Sequence, residues 1–184
     1  MTKTGETYRR IMDASEVQKA IEKMAQTIAM DMTQIDKCLL IGIRTRGVYL
    51  ANRLGVLIKE KTGYDVPIGT LDITLYRDDW TRLHMYPLIR STTIPGSIEH
   101  KDVVLIDDVL YTGRTVRAAL DALLDYGRPD RVYLAVLIDR GHRELPICAQ
   151  YVGKQVETTD DEHVDVRLKE CDEVDEVVIV KSGT

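Results

Sequence analysis

The stretch VVLIDDVLYTGRT at 103–115 brings two adjacent carboxylates, two threonine hydroxyls and a glycine together. Hydrophobic residues deliver Asp107 and Asp108 to the C-terminal end of an expected strand, and a short loop then opens a helix. In an open α/β sheet this carboxyl edge is where ligands bind. Backbone N–H groups around Thr112 to Thr115, the helix N-terminus and two threonine hydroxyls suit a phosphate. Gly113 admits an oxygen where a β-carbon would obstruct it. Acids beside an anion cradle make sense with a polyhydroxylated sugar between them. Carboxylates accept hydrogen bonds from ribose hydroxyls and hold Mg²⁺ indirectly, while the cradle takes the 5′-phosphate. A strand ending in two capping acids would explain the DD pair alone, but not the whole string. The P-loop pattern GxxxxGK[ST] is absent, as is GxGxxG; GIRTRG at 42–47 merely has glycine ends.

The surrounding pattern supplies strands and helices to position these groups. Val17, Ile21, Met24 and Ile28 recur at helical spacing within 14–33, and Ser15 with Gln18 has the spacing of a capping box. CLLIGI at 38–43 reads as a strand buried on both faces, and 48–61 as a helix stopped by Gly63. A second strand is expected at 66–76 and a third at 103–107. An amphipathic helix follows, carrying Val116, Ala119, Leu120, Leu123 and Leu124 on one side, and then a fourth strand at 131–138. Short strands are expected around 148–153, 163–168 and 176–180. Between Arg77 and His100 the pattern dissolves into charges, prolines and threonines; such an excursion forms either a β-arm or a lid. Buried strands alternating with helices predict an α/β fold with a central, mostly parallel sheet.

Composition narrows the class. The 184 residues are 44% hydrophobic and 30% charged, which argues for one folded domain, 1–184, and against a disordered tail protein. Nine Tyr, one Trp and no Phe leave the core to aliphatic side chains. The net charge of −5 is uneven: 1–156 is slightly basic, whereas 157–176 holds ten acids against Arg167 and Lys169. That acidic segment reads as a solvated rim, and the overall balance does not favour nucleic acid by default. Cys38, Cys148 and Cys171 lack a CxxC spacing, and the apolar runs are too short to span a bilayer. The N-terminus lacks the apolar core of a signal peptide, so a cytoplasmic protein with no membrane partner is expected.

VVLIDDVLYTGRT resembles the phosphoribosyl pyrophosphate (PRPP) signature of type I phosphoribosyltransferases. More closely, the chain resembles the PyrR family of bifunctional pyrimidine-operon attenuation regulators and uracil phosphoribosyltransferases. GIRTRG (42–47), DITLYRDD (72–79), DDVLYTGRTVRA (107–118) and LIDRGHRELPI (137–147), continuing to YVGK (151–154), carry the match. The resemblance implies helices flanking the central sheet, a small hood and a long flexible loop. It also implies a homodimer or larger homo-oligomer. The implied reaction converts uracil and PRPP to UMP and pyrophosphate, with Mg²⁺ carried by PRPP rather than by a direct protein site.

It implies, further, a PRPP site of Asp107, Asp108, Val109, Leu110, Tyr111, Thr112, Gly113, Arg114 and Thr115. Arg44, Thr45, Arg46 and Gly47 form the pyrophosphate loop, in which a non-proline cis peptide is expected of this fold. Arg44 and Arg46 alternate and so face different ways, and arginine suits forked phosphate binding. Arg77, joined by Asp107 and Asp108 as the catalytic set, neutralises pyrophosphate once the excursion closes; Trp80 packs within that arm or a subunit contact. Asp139, Arg140 and the backbone at Tyr151 and Val152 face the base, with Asp139 alternatively meeting Mg²⁺ through water. His142 reads as structural or surface.

Tyr111 occupies the position where the 6-oxopurine enzymes place an aspartate that helps protonate the ring, which favours a pyrimidine. The same pocket would sense UMP or UTP in a regulator that grips pyr leader mRNA. The alternative reading is such a regulator with little physiological enzyme activity. Arg140, Arg143 and Lys154 are candidate RNA contacts, but Glu22 and Asp31 interrupt the first helix and 157–176 is acidic.

Overall fold

The computed structural model describes residues 7–77 and 91–181. In chain order they form β1 (Thr7–Met12), α1 (Ala14–Asp31), β2 (Cys38–Ile43), α2 (Arg46–Thr62), β3 (Ile68–Leu71) and β4 (Asp102–Leu110). Then come α3 (Arg114–Leu124), β5 (Arg131–Asp139), β6 (Tyr151–Gln155), β7 (Glu162–Arg167), α4 (Lys169–Asp172) and β8 (Glu176–Lys181).

β2 is buried along its whole length because helices cover both sides of its sheet. That sheet has the order β3-β2-β4-β5-β6, and all its pairs are parallel. Leu40, Val104 and Ile106 share one core with α1 and α2, while Leu39, Ile41, Val103 and Leu105 share the other with α3. The alternation follows from the two-residue period of a strand. A second, antiparallel sheet of order β1-β8-β7 forms a hood, anchored through Val166, Leu168 and Val177 in the core beside α1.

Several local expectations are corrected. The capping box on α1 joins Asp13 and Glu16, not Ser15 and Gln18, because β1 runs to Met12 and the helix must start at once. β3 ends at Leu71 rather than 76: the Asp72 carboxylate accepts the Thr74 N–H at 2.9 Å and turns the chain out of the sheet. On α3, Ala118 and Ala122 are buried and Leu124 is exposed, since the alanines let that side of the helix lie against its neighbours. The excursion is also shorter than expected. Thr93 exchanges two backbone hydrogen bonds with Thr70, and Ile98 is fully buried, so its C-terminal part joins the scaffold. Asp78, Asp79 and Trp80 lie outside the described residues.

The acidic segment is not merely a solvated rim. Arg53 on α2 pairs with Glu170 at 2.6 Å and Asp175 at 2.7 Å, and Arg46 pairs with Asp172 at 3.1 Å. These acids fasten the hood to α2.

Candidate functional site

Parallel pairing aligns the carboxyl ends of five strands, with Ile43 beside Leu71, Leu110 beside Asp139, and Asp139 beside Gln155. β4 runs three residues past its expected end at 107, so Asp108 also lies within the strand and both acids precede its last residues. Asp107 is only 7% exposed and accepts the Asp108 N–H at 3.0 Å; Asp108 accepts the Val109 N–H at 2.9 Å. Burial, reinforced by the charge of Asp108, pushes the Asp107 carboxyl well above the usual carboxylate range, while Arg77 pulls it back. The charge of Arg77 thus acts on Asp107. The turn before it is pinned to α3: the Tyr76 hydroxyl donates to Asp125, and Arg117 donates to the Tyr76 carbonyl at 3.3 Å.

After β4 the chain turns through Tyr111 to Gly113 into α3. Gly113 has φ +92°, a region costly for a side chain, and leads directly into α3. The Thr112 carbonyl accepts the N–H groups of Glu144 and Leu145, and Arg114 pairs with Glu144 at 2.6 Å. A hollow of about 270 Å³ is lined by Arg77 and by 109–116, so Val109, Leu110, Tyr111, Thr112, Gly113, Arg114 and Thr115 come together with Arg77.

The loop before α2 contains a cis Arg44–Thr45 peptide, as expected. Arg44 donates to the Ser91 carbonyl at 3.1 Å, while Arg46 turns to the hood and grips Asp172 with two hydrogen bonds. The two arginines therefore do face different ways. A β-carbon on Gly47 would collide with the Ile106 carbonyl oxygen, so glycine lets the first turn of α2 sit on the strand just before Asp107.

On the other side of the cradle lies an open hollow of about 910 Å³, bounded by 139–143, Cys148 and 155–158. Arg140 is 6% exposed, stacks its guanidinium 3.8 Å from the Tyr111 ring centre, and donates to Thr158 Oγ1 and the Glu162 carbonyl. His142 meets the same ring edge-on at 6.0 Å and lies 2.8 Å from the Thr158 carbonyl, a structural placement. Asp139 accepts the Gly141 N–H and pairs with Arg143.

Tyr151 and Val152 do not reach this hollow. They pair with Ala135 and Val136, well before the carboxyl end of the sheet, and the Tyr151 ring packs beside Tyr133. Burial, with Asp31 nearby, pushes its hydroxyl above the usual range. The parallel register assigns the carboxyl-edge position to Gln155, whose neighbours Val156 to Thr158 line the hollow instead. The three expected RNA contacts are each engaged with the protein. Arg140 is buried, Arg143 donates to the carbonyls of Ile147, Tyr111 and Gly141, and Lys154 donates to the Ile11 carbonyl at 2.8 Å.

Sequence reasoning did not single out Thr158 and Gln155, which line this hollow, or Asp172, which grips Arg46. The β5–β6 register would have located Gln155, but Asp172 lies among ten acids with nothing local to distinguish it.

Comparison with known proteins gives a consistent result. A family profile described as Phosphoribosyl transferase domain matches residues 4–171. Bifunctional protein PyrR of Syntrophobacter fumaroxidans is 56% identical over 175 residues, covering 95% of this chain and 94% of that protein. The protein of the same name from Pelotomaculum thermopropionicum is 53% identical over 174 residues, covering 95% and 96%. Among solved structures, the Trypanosoma cruzi hypoxanthine phosphoribosyltransferase in complex with IMP aligns with a TM-score of 0.70 at 16% identity, covering 98% and 94%. A Staphylococcus aureus hypoxanthine phosphoribosyltransferase aligns at 0.68 with 20% identity, covering 96% and 92%. At these identities the solved structures speak for the fold, a central parallel sheet flanked by helices. Among the described residues no helix is long and apolar enough to cross a membrane.

Proposed function

The chain belongs to the phosphoribosyl transferase domain family as one of its PyrR members, and from that premise we propose that it converts uracil and PRPP to UMP and pyrophosphate. We read it also as a UMP- or UTP-sensing regulator of pyrimidine-operon expression that contacts pyr leader mRNA. The observation that carries the enzymatic reading is the juxtaposition of Asp107, Asp108 and Arg77 with the glycine-opened N-terminus of α3.

In this reading Thr112 to Thr115 bind the 5′-phosphate through backbone N–H groups and hydroxyls. Asp107 and Asp108 accept hydrogen bonds from the ribose hydroxyls. Mg²⁺ would arrive with PRPP as part of the substrate, and the acidic pair would hold it indirectly, adding positive charge beside the leaving pyrophosphate. Breaking the C1–O bond builds positive charge on the sugar and negative charge on the leaving pyrophosphate, so positioning and charge stabilisation dominate. The acids face the developing cation, while Arg77 and the loop 44–47 face the leaving group. The hollow beside Arg140 takes the base, with backbone groups at 156–158 reading its carbonyls and N–H. Tyr111, fixed between Arg140 and His142, supplies no carboxylate for a purine ring.

The test is incubation of the full chain with labelled uracil, PRPP and Mg²⁺, with hypoxanthine in parallel. UMP formation is expected. Its absence overturns the enzymatic reading, and equal turnover of hypoxanthine overturns the role given to Tyr111.

A further inference from the structure

We propose that Asp172, in the hood, is a positioning residue for the reaction: it anchors one edge of the Arg46 guanidinium so that the other edge faces the leaving pyrophosphate. The inference rests on the transferase reading above and assigns a part of that chemistry to the acidic segment.

Asp172 accepts from Arg46 Nε at 3.2 Å and from Nη2 at 3.1 Å, a two-point grip that fixes the guanidinium plane. Among the described residues Nη1 has no hydrogen-bond partner, which leaves two N–H groups for an anion. The carboxylate is itself held, accepting the Leu168 N–H at 3.0 Å and the Cys171 thiol at 3.0 Å. Arg53, gripping Glu170 and Asp175, ties the same segment to α2 two turns further on. Asp172 is therefore a fixed post rather than a swinging surface acid.

The anchored group stands in the right place. Arg46 opens α2 next to Gly47, whose backbone lies against Ile106, the residue before the acidic pair. The charge of Asp108 reaches the Arg46 guanidinium. Burial raises the Asp172 carboxyl, but its hydrogen bonds from Cys171 and Leu168, and then Arg46, outweigh that and bring it to about 2. It is ionised throughout the neutral range. An unanchored arginine would have to lose side-chain freedom on each binding event, a cost that the grip removes in advance.

The experiment measures kcat, the KM for Mg²⁺–PRPP and inhibition by Mg²⁺–pyrophosphate in the full chain. Four variants are compared with the parent: Asp172→Asn, Arg46→Gln, their combination, and Glu170→Gln as a control on the same hood segment. Asp172→Asn is expected to raise the PRPP KM and weaken pyrophosphate inhibition about tenfold, with kcat within about twofold. In the Arg46→Gln background the same change should have an effect of about twofold or less. Glu170→Gln should leave the KM within about twofold of the parent, because Asp175 still holds Arg53 to the segment. Should Asp172→Asn fail to fold, Asp172→Glu displaces the guanidinium by one methylene and is expected to raise the KM several-fold.

An active parent with an unchanged KM in the folded Asp172 variant overturns this inference alone. So does tighter pyrophosphate inhibition, which would make Asp172 a competitor for Arg46. An undiminished effect in the Arg46→Gln background, or an equal effect of Glu170→Gln, also overturns it. A parent that neither binds PRPP nor makes UMP removes the transferase reading, and this inference with it.

Discussion

Asp107 is 7% exposed with Asp108 beside it, so ionising its carboxyl is harder in the folded chain than in the unfolded one. Its folded pKa is raised. Between the ordinary carboxylate value and the folded one, the native state binds more protons than the unfolded state, and stability falls as pH rises. Asp107→Asn removes that penalty, and its Oδ1 can still accept the Asp108 N–H. The variant is expected to melt about 2–4 °C higher than the parent at neutral pH, roughly the effect of 1 kcal/mol in a chain of this size. The gain should vanish below about pH 4, where both side chains are neutral. On the proposed function, PRPP affinity should fall about tenfold or more in the same variant, because the hydrogen bond assigned to Asp107 and the ribose loses its charge. Melting curves across pH and a PRPP titration check both halves. A lower melting point at neutral pH, or parental affinity, would contradict the assignment.

α2 carries the loop 44–47 to the acidic pair, and Gly47 sets how closely it approaches. Gly47→Ala drives a methyl into the Ile106 carbonyl and is expected to cost about 3 kcal/mol, read as a lowered denaturant midpoint. The hood responds to acid instead. Asp172 is held at about 2, and Glu170 and Asp175 lie below their usual values. Depressed carboxylates stabilise the native state above their unfolded values, and that stabilisation is lost as pH falls through the folded ones. Protection of the β7 and β8 amides, corrected for the pH dependence of intrinsic exchange, is therefore expected to fall below about pH 4, before protection in β4 does. An equal loss of protection in both would show that the acids do not control the hood. These two elements also differ in how well the sequence revealed them. β2 and β4 are continuous apolar runs between recognisable loops, and 107–115 reads directly as strand, cradle and helix. β1, Thr7–Met12, is invisible locally: TYRRIM has two central arginines, and its partner β8 lies near the other end of the chain. The Arg46–Asp172 contact and the carboxyl-edge position of 155–158 depend on similarly distant pairings, so local periodicity carries no trace of them.

Across the whole molecule, charge is distributed by pairing rather than by segment. The slightly basic body and the strongly acidic stretch at 157–176 meet across α2, where Arg46 and Arg53 take up Asp172, Glu170 and Asp175. Cations after β5 are similarly engaged: Arg140 lies over Tyr111, Arg143 is ringed by carbonyls and Asp139, and Lys154 holds β1 to β6. Exposed positive charge on α1 comes from Lys19 and Lys23, with the exposed Glu22 beside them. An RNA contact on that face would use few phosphates, and binding of pyr leader RNA is expected to be weak at physiological salt. Each phosphate contact with an unpaired strand adds about 0.7 to the slope of log affinity against log salt. Lys19→Gln and Lys23→Gln should each flatten the slope by about that amount and leave the melting temperature unchanged. Arg143→Gln, by contrast, should lower the melting temperature and leave the slope alone, because its guanidinium satisfies backbone carbonyls between β4 and β5. Salt titrations of leader RNA with these three variants, paired with thermal melts, distinguish the two roles. If Arg143→Gln flattens the slope while melting like the parent, the basic footprint lies after β5 and not on α1.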